Sequence, residues 1–335
     1  MARKNGKKLQ PAVQTIWFEV TTPAENFTTN FIDLSQAASL VNRRFYRQGI
    51  NWAVDRIETF NIVPGSSPSG QISLSKLPST WVMSNAWEKS FRAWQAMNKQ
   101  ALEENESVKP KFLDFKIYAD ADHHSAGFDA NLLPTNGLAT YNPGEWVASK
   151  IVVPTAGAGV VSRELIATGA SYPGAGYSGL DAVSLIEGYA ASRALPQPID
   201  PSVPQDNADA SGPTPENWMA ALFNQGIAQD EEVLIDMGSE NNQAPYPYED
   251  DGVNIDTMYP SGANQGPGLE LVDYGFLTST TIGNETHLTG GMFPCGLMRI
   301  DITNDNATTA MNTIIGVRLV PGDHRGYMCE PMTDM

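Results

Sequence analysis

Two short stretches gather the residue types that hold metal ions. "YADADHHSAGFD" brings Asp120, Asp122, His123, His124 and Asp129 close together. Imidazole nitrogens with carboxylate oxygens are a ligand set for divalent transition metals. The stretch has no HExxH spacing and no third imidazole nearby, and the chain's other histidines are His287 and His324. Adjacent histidines in a strand point to opposite faces, so a shared ligand set needs a loop here. The plainer reading is a polar surface loop. "YEDDGVNID" packs Glu249, Asp250, Asp251, Asn254 and Asp256 around a glycine. Hard oxygen donors at a turn suit a structural Ca²⁺ held by Asp250, Asp251, Asn254 and Asp256. The EF-hand order is absent, and a solvated acidic turn with no bound ion is the plainer reading.

Nucleophilic and redox chemistry find no support. There is no Gly-x-Ser-x-Gly elbow. The two cysteines, Cys295 and Cys329, have no CxxC or Cys/His company and read as reduced, buried small residues. With 38 acidic residues, paired carboxylates carry no information about glycoside hydrolysis. "GASYPGAGYSG" lacks the spacing of a phosphate-binding loop. No catalytic constellation stands out, and the expectation is a protein that is not an enzyme.

The chemistry that does stand out is ionic. "VNRRFYRQG" sets Arg43, Arg44 and Arg47 among nine residues of a chain with 21 Lys+Arg, 38 Asp+Glu and a net charge of −17. From Ala194 to Met298, 105 residues contain 16 acidic side chains and no lysine or arginine. Arginine forks match carboxylates, so Arg43, Arg44 and Arg47 are candidates for pairing with carboxylates across domains or between subunits. A surface salt bridge within one chain, worth about 0–1 kcal/mol, is the alternative. If the helix before them continues, Arg43 and Arg47 share a face. The basic start, Arg3, Lys4, Lys7 and Lys8, lacks the apolar segment of a secretion signal. It suits contact with anionic headgroups, at about 1 kcal/mol per basic residue, or a frayed terminus. The acidic body repels polyphosphate, so sequence-specific nucleic-acid binding is not expected.

The elements that must position these groups are mostly strands. "QTIWFEV", "WAVDRIETFNIV" and "QISLSKL" alternate or are rich in β-branched and aromatic residues, with a bulge expected near Arg56. "KFLDFKIYA", Glu145–Pro154, Val160–Thr168, Glu232–Asp236, Leu271–Thr278, Leu297–Thr303 and Thr313–Val320 are further strands. "DLSQAASLVNRRF" opens a short helix capped by Asp33 or Ser35. The longest helix begins at Ser79 and carries Trp87, Phe91, Trp94 and Met97 on one stripe, read as core. Leu180–Arg193 and "ENWMAALFNQG" are helical. Ala194–Pro215 has six prolines in 22 residues and reads as a linker or long loop. No strand–helix–strand rhythm repeats. The pattern predicts an all-β chain with inserted helices, a jelly-roll β-sandwich. No apolar run reaches the roughly 20 residues of a membrane span.

Three stretches together resemble the major capsid proteins of small single-stranded DNA bacteriophages. They are "DLSQAASLVNRRFYRQGINWAVDRIE", "LPSTWVMSNAWEKSFRAWQAMNKQ" followed by "FLDFKIYAD", and the close "GLMRIDI…TIIGVRLVPGDHRGYMCEPM". The nearest type is the Flavobacterium-infecting, lipid-containing phage (Finnlakeviridae-like), with related environmental circular DNA viruses. The resemblance implies a double jelly roll, homotrimeric capsomers, an icosahedral virion, and contacts with other virion proteins. It also implies an inner membrane, which the N-terminal lysines and arginine would touch. In this scheme residues 1–193 form a first jelly roll with inserted helices, 194–215 a linker, and 216–335 a second, acidic jelly roll. A single jelly roll with a helical insertion and a projecting acidic region remains open. A carbohydrate- or surface-binding β-sandwich, such as a fibre or adhesion module, is the competing class.

Overall fold

The computed structural model describes residues 11–62, 68–104, 107, 112–154, 160–171, 182–194, 218–221, 268–278 and 284–335. The basic start Arg3–Lys8, the Asp250–Asp256 loop, the Glu232–Asp236 strand and, beyond Ala194, the Pro-rich stretch lie outside them. The chain divides into two compact units. One takes the residues up to Lys76, Asp129–Trp146 and Glu270–Met332; the other takes Leu77–Phe128, Val147–Leu269 and the last three residues.

The first unit is built from β1 (Thr15–Thr22), β2 (Asn26–Asp33), α1 (Leu34–Asn42), β3 (Ile50–Ile62) and β4 (Ser69–Lys76). After the inserted second unit it resumes with four more strands. Numbered after the three strands of that unit, they are β8 (Glu270–Thr278), β9 (Glu285–Phe293), β10 (Leu297–Asn304) and β11 (Met311–Leu319). One sheet runs β1-β11-β3-β9, with Cys329–Pro331 pairing the start of β3; the other runs β2-β10-β4-β8. Every pair is antiparallel, and every pair joins an early strand to a late one. Thr15 faces Arg318, Asp33 faces Leu297, Phe60 faces Glu285 and Ser69 faces Thr278.

Alternation explains the sandwich. Ile16, Phe18 and Val20 of β1 point inward, as do Ile72 and Leu74 of β4, Ile300 and Ile302 of β10, and Ile315 and Val317 of β11. They join one core with Trp52, Ile57 and Phe293. Each such side chain contributes about 1.5–3 kcal/mol when fully buried. The bulge expected near Arg56 falls at Asp55: Arg318 pairs with Arg56 and Leu319 with Val54, skipping one residue. Gly290 of β9 lies against this kink. A Cβ there would stand 2.1 Å from the Val54 carbonyl oxygen.

The second unit holds α2 (Trp81–Glu104), α3 (Ala121–Ala126), β5 (Lys150–Pro154), β6 (Val160–Ile166), β7 (Ala182–Ser184), α4 (Leu185–Ala194) and α5 (Trp218–Ala221). β5 and β6 are antiparallel, β6 and β7 parallel. The aromatic stripe of α2 is core, as expected. Trp87 stacks on Phe91 at 4.8 Å, and Trp94 meets Phe115 at 5.3 Å.

Three expectations are corrected. The split at 194–215, with a second jelly roll over 216–335, does not match the pairing. β10 and β11 insert between the N-terminal strands because their inward residues complete that core, so both ends of the chain share one sandwich. The stretch Leu113–Ala119 is no regular strand. Tyr118 makes one bridge to Ile166, and Lys116 bonds the Ser149 hydroxyl and backbone. The helix expected from Leu180 begins only at Leu185, since Ala182–Ser184 pairs with β6 instead. Among the described residues no helix is long and apolar enough to cross a membrane.

Candidate interaction surface

The arginine stretch is fixed by the cap of α1. The Asp33 carboxylate accepts the Ser35 and Gln36 amides at 2.8 and 3.2 Å, starting the helix. Its second oxygen accepts Gln48 Nε2 at 3.0 Å and Trp146 Nε1 at 2.9 Å. Asp33 therefore holds the beginning of α1 and the end of the arginine loop at one point. Burial pushes its carboxyl up to about 6, against the four donors, which pull it down.

The helix does not continue through the arginines. It ends at Asn42, and Arg43 takes the left-handed conformation, φ 52° and ψ 40°, with its amide bonded to the Ser39 carbonyl. The expected shared helical face of Arg43 and Arg47 is thus replaced by a tight return loop. Ser39 Oγ accepts the Tyr46 amide, and Ser35 Oγ donates to the Arg47 carbonyl. Tyr46 turns inward against Trp52 and Tyr327, at 5.7 and 5.5 Å between rings. Its hydroxyl donates to the Arg325 carbonyl at 3.0 Å. The Arg325 guanidinium in turn donates to the Phe45 carbonyl.

The result is a basic corner assembled from both ends of the chain. Arg43, Arg47 and Arg325 are exposed, and none meets a carboxylate among the described residues. Arg44 is partly buried and donates to the Pro11 carbonyl at 3.1 Å, at the point where the basic N-terminal segment begins. Burial and the Arg325 charge hold the His324 imidazole below its ordinary value. Arg325, like Arg43, has φ 52°. Glycine or asparagine is the usual occupant of such positions, and a residue with a Cβ adopts them at about 1–2 kcal/mol. Sequence reading found Arg43, Arg44 and Arg47 but missed Arg325, nearly 280 positions away. The only local signal for it is the turn "PGDHRGY".

A second surface was also missed. Across the sheet β2-β10-β4-β8, Phe27, Thr303, Gln71 and Phe276 lie in one transverse row. Phe27 is 64% exposed, Phe276 56% and the neighbouring Tyr274 61%. They take the outward positions of their strands, where alternation calls for polar residues.

Of the residues in the Asp120–Asp129 stretch, Asp120, His123 and His124 are tied into local structure. Asp120 caps α3 by accepting the His123 amide at 2.8 Å. His123 Nδ1 accepts the Ala119 amide at 3.0 Å, and His124 Nε2 meets Glu164 Oε2 at 2.9 Å. Both imidazoles are buried, while Asp122 and Asp129 are exposed. Among the described residues no three such side chains converge. Cys295 and Cys329 are free thiols, and burial pushes Cys329 up to about 12. No protein-family model, curated protein or solved structure matches this chain.

Proposed function

We propose that this chain is the major capsid protein of a small icosahedral virus. On this reading it is a jelly-roll subunit that works by associating with copies of itself and turns over no substrate. The observation that carries the reading is the strand order. A long antiparallel hairpin rolled around a core pairs its first strand with its eighth, second with seventh, third with sixth and fourth with fifth. The sandwich pairs β1 with β11, β2 with β10, β3 with β9 and β4 with β8, which fits that scheme. Double sheets of this kind recur in viral coats and lectins. The order favours one jelly roll carrying a unit between its fourth and fifth strands over two jelly rolls in series. The resemblance to bacteriophage capsid proteins supports the coat role, although it implies a double jelly roll, which this strand order does not favour.

In this reading rigid walls meet around symmetry axes as trimeric capsomers. The subunit resides in the virion, and in the host cytoplasm before assembly. Arg3, Lys4, Lys7 and Lys8 face inner lipid, and other virion proteins complete the shell. Size-exclusion chromatography and negative-stain microscopy of the expressed protein test it: trimers or closed particles are expected, and a monomer at all concentrations refutes it.

The aromatic row Phe27–Phe276, with Tyr274 beside it, favours one competitor, a carbohydrate-binding sandwich. Glycan-array binding lost on Tyr274→Ala with Phe276→Ala would support that competitor.

A further inference from the structure

The basic corner has a definite occupant if the subunit self-associates, and the inference rests on that reading. We infer that Arg43, Arg47 and Arg325 dock the carboxylates of the Ala194–Met298 stretch of a second copy of this chain.

Three observations converge. The first is charge. Arg43, Arg47 and Arg325 are exposed with no carboxylate partner among the described residues. The Ala194–Met298 stretch carries 16 acidic side chains and no cation of its own. Two surfaces of opposite sign on one polypeptide attract between copies and repel within like patches.

The second is backbone. Arg43 and Arg325 both occupy left-handed positions that suit glycine. The local fold would be better served by glycine at Arg43, because that side chain makes no described bond within its own unit. An arginine at a backbone position that disfavours it points to a use for its guanidinium outside the local fold.

The third is rigidity. The loop is tied at Asp33, Ser35, Ser39, Tyr46 and Arg325, so its guanidinium groups are presented on a fixed frame. A fixed frame lowers the ordering cost of docking. Corner and acidic stretch are different parts of the sequence, so a contact between them is head-to-tail and closes into rings when its rotation allows.

The test uses full-length chains in sedimentation velocity. Arg43→Glu with Arg47→Glu is one variant; Asp250→Lys with Asp251→Lys is the other. Each alone should self-associate about tenfold more weakly than wild type, and an equimolar mixture should recover most of that loss. Wild-type association should weaken steeply between about 0.1 M and 1 M salt, as the Debye length falls from about 10 to about 3 Å. Arg43→Gly should weaken association while leaving the melting temperature unchanged or higher, a split that a structural role would not produce. The inference is overturned if the Arg43→Glu, Arg47→Glu chain associates like wild type, or if the mixture recovers nothing. It is overturned equally if the corner variants lose binding to anionic phospholipid vesicles or single-stranded DNA but keep self-association. A wild type that associates while its corner variants do so equally sinks this inference alone. A wild type that stays monomeric sinks the self-association reading with it.

Discussion

Replacing Asp33 with alanine isolates the joint that holds the arginine loop. The substitution removes a helix N-cap, a loss of about 1 kcal/mol. It also strands the buried donor Gln48 Nε2, at about 1–3 kcal/mol, and removes the bond of the partly buried Trp146 Nε1, at about 1 kcal/mol. Against this it removes a buried carboxylate whose ionised form is disfavoured. An elevation from 3.8 to about 6 corresponds to about 3 kcal/mol when the group is fully charged. Near neutral pH the net cost is therefore roughly 0 to 2 kcal/mol.

The pH dependence gives the sharper result. A carboxyl raised in the folded state binds its proton more tightly there than in the unfolded chain. Its contribution to stability therefore increases as pH falls through about 6 and is complete below the unfolded value. Between about pH 7.5 and pH 5.0 the wild type should gain about 1 to 1.5 kcal/mol that Asp33→Ala lacks. The lower limit stays above the sequence pI of about 4.5, where solubility is poorest. Urea unfolding followed by tryptophan fluorescence at several pH values measures this directly. A cost of Asp33→Ala that is flat with pH, or that shrinks as pH falls, would show that the four donors outweigh desolvation and would refute the reasoning.

At the β3 kink, Gly290→Ala should lose more than 2 kcal/mol or fail to fold, since its Cβ would press on the Val54 and Asp55 carbonyls, about the cost of forced overpacking. The adjacent Gly291→Ala, whose Cβ meets nothing within 4 Å, should change stability by less than about 0.5 kcal/mol in the same unfolding assay. Tyr327→Phe removes a hydroxyl that accepts Asn42 Nδ2 at 2.7 Å and donates to the Val13 carbonyl at 2.6 Å. A loss of about 1–2 kcal/mol is expected by thermal unfolding, and no change would mean that water replaces both bonds.

The all-β character was readable because most sandwich strands alternate cleanly, as β1, β4, β10 and β11 do. Two strands were not. β2 spends its first half, Asn26–Asn30, on asparagine, threonine and the outward Phe27 at exposed or partly exposed positions, and only Phe31–Asp33 are buried. β9 contains Gly290 and Gly291, which a local scan takes for a break, although the bulge at Asp55 requires Gly290. The division of the chain was misplaced for a physical reason. A proline-rich stretch reports local conformational preference and says nothing about which distant strands share a core. The corner was half readable for the same reason. Arg43, Arg44 and Arg47 are neighbours in sequence, whereas Arg325 reaches them only through the pairing of late strands with early ones. The polar surface loop expected at Asp120–Asp129 is instead a short helix capped by Asp120 with both histidines buried, because capping and packing are not legible from ligand-type residues alone.

The nesting of late strands onto early ones also governs how the polypeptide emerges from the ribosome. None of β1 to β4 pairs with another of that group. Each waits for a partner encoded beyond Leu269, so the nascent N-terminal quarter carries four unsatisfied edges while the inserted unit is being translated. At 5–20 residues per second that interval is roughly ten to forty seconds. During it the chain is exposed to chaperones, to premature pairing with a neighbouring nascent copy, and to strand exchange. Slower translation across the insertion is therefore expected to lower the yield of correctly closed subunits even where the sandwich's final stability is unchanged.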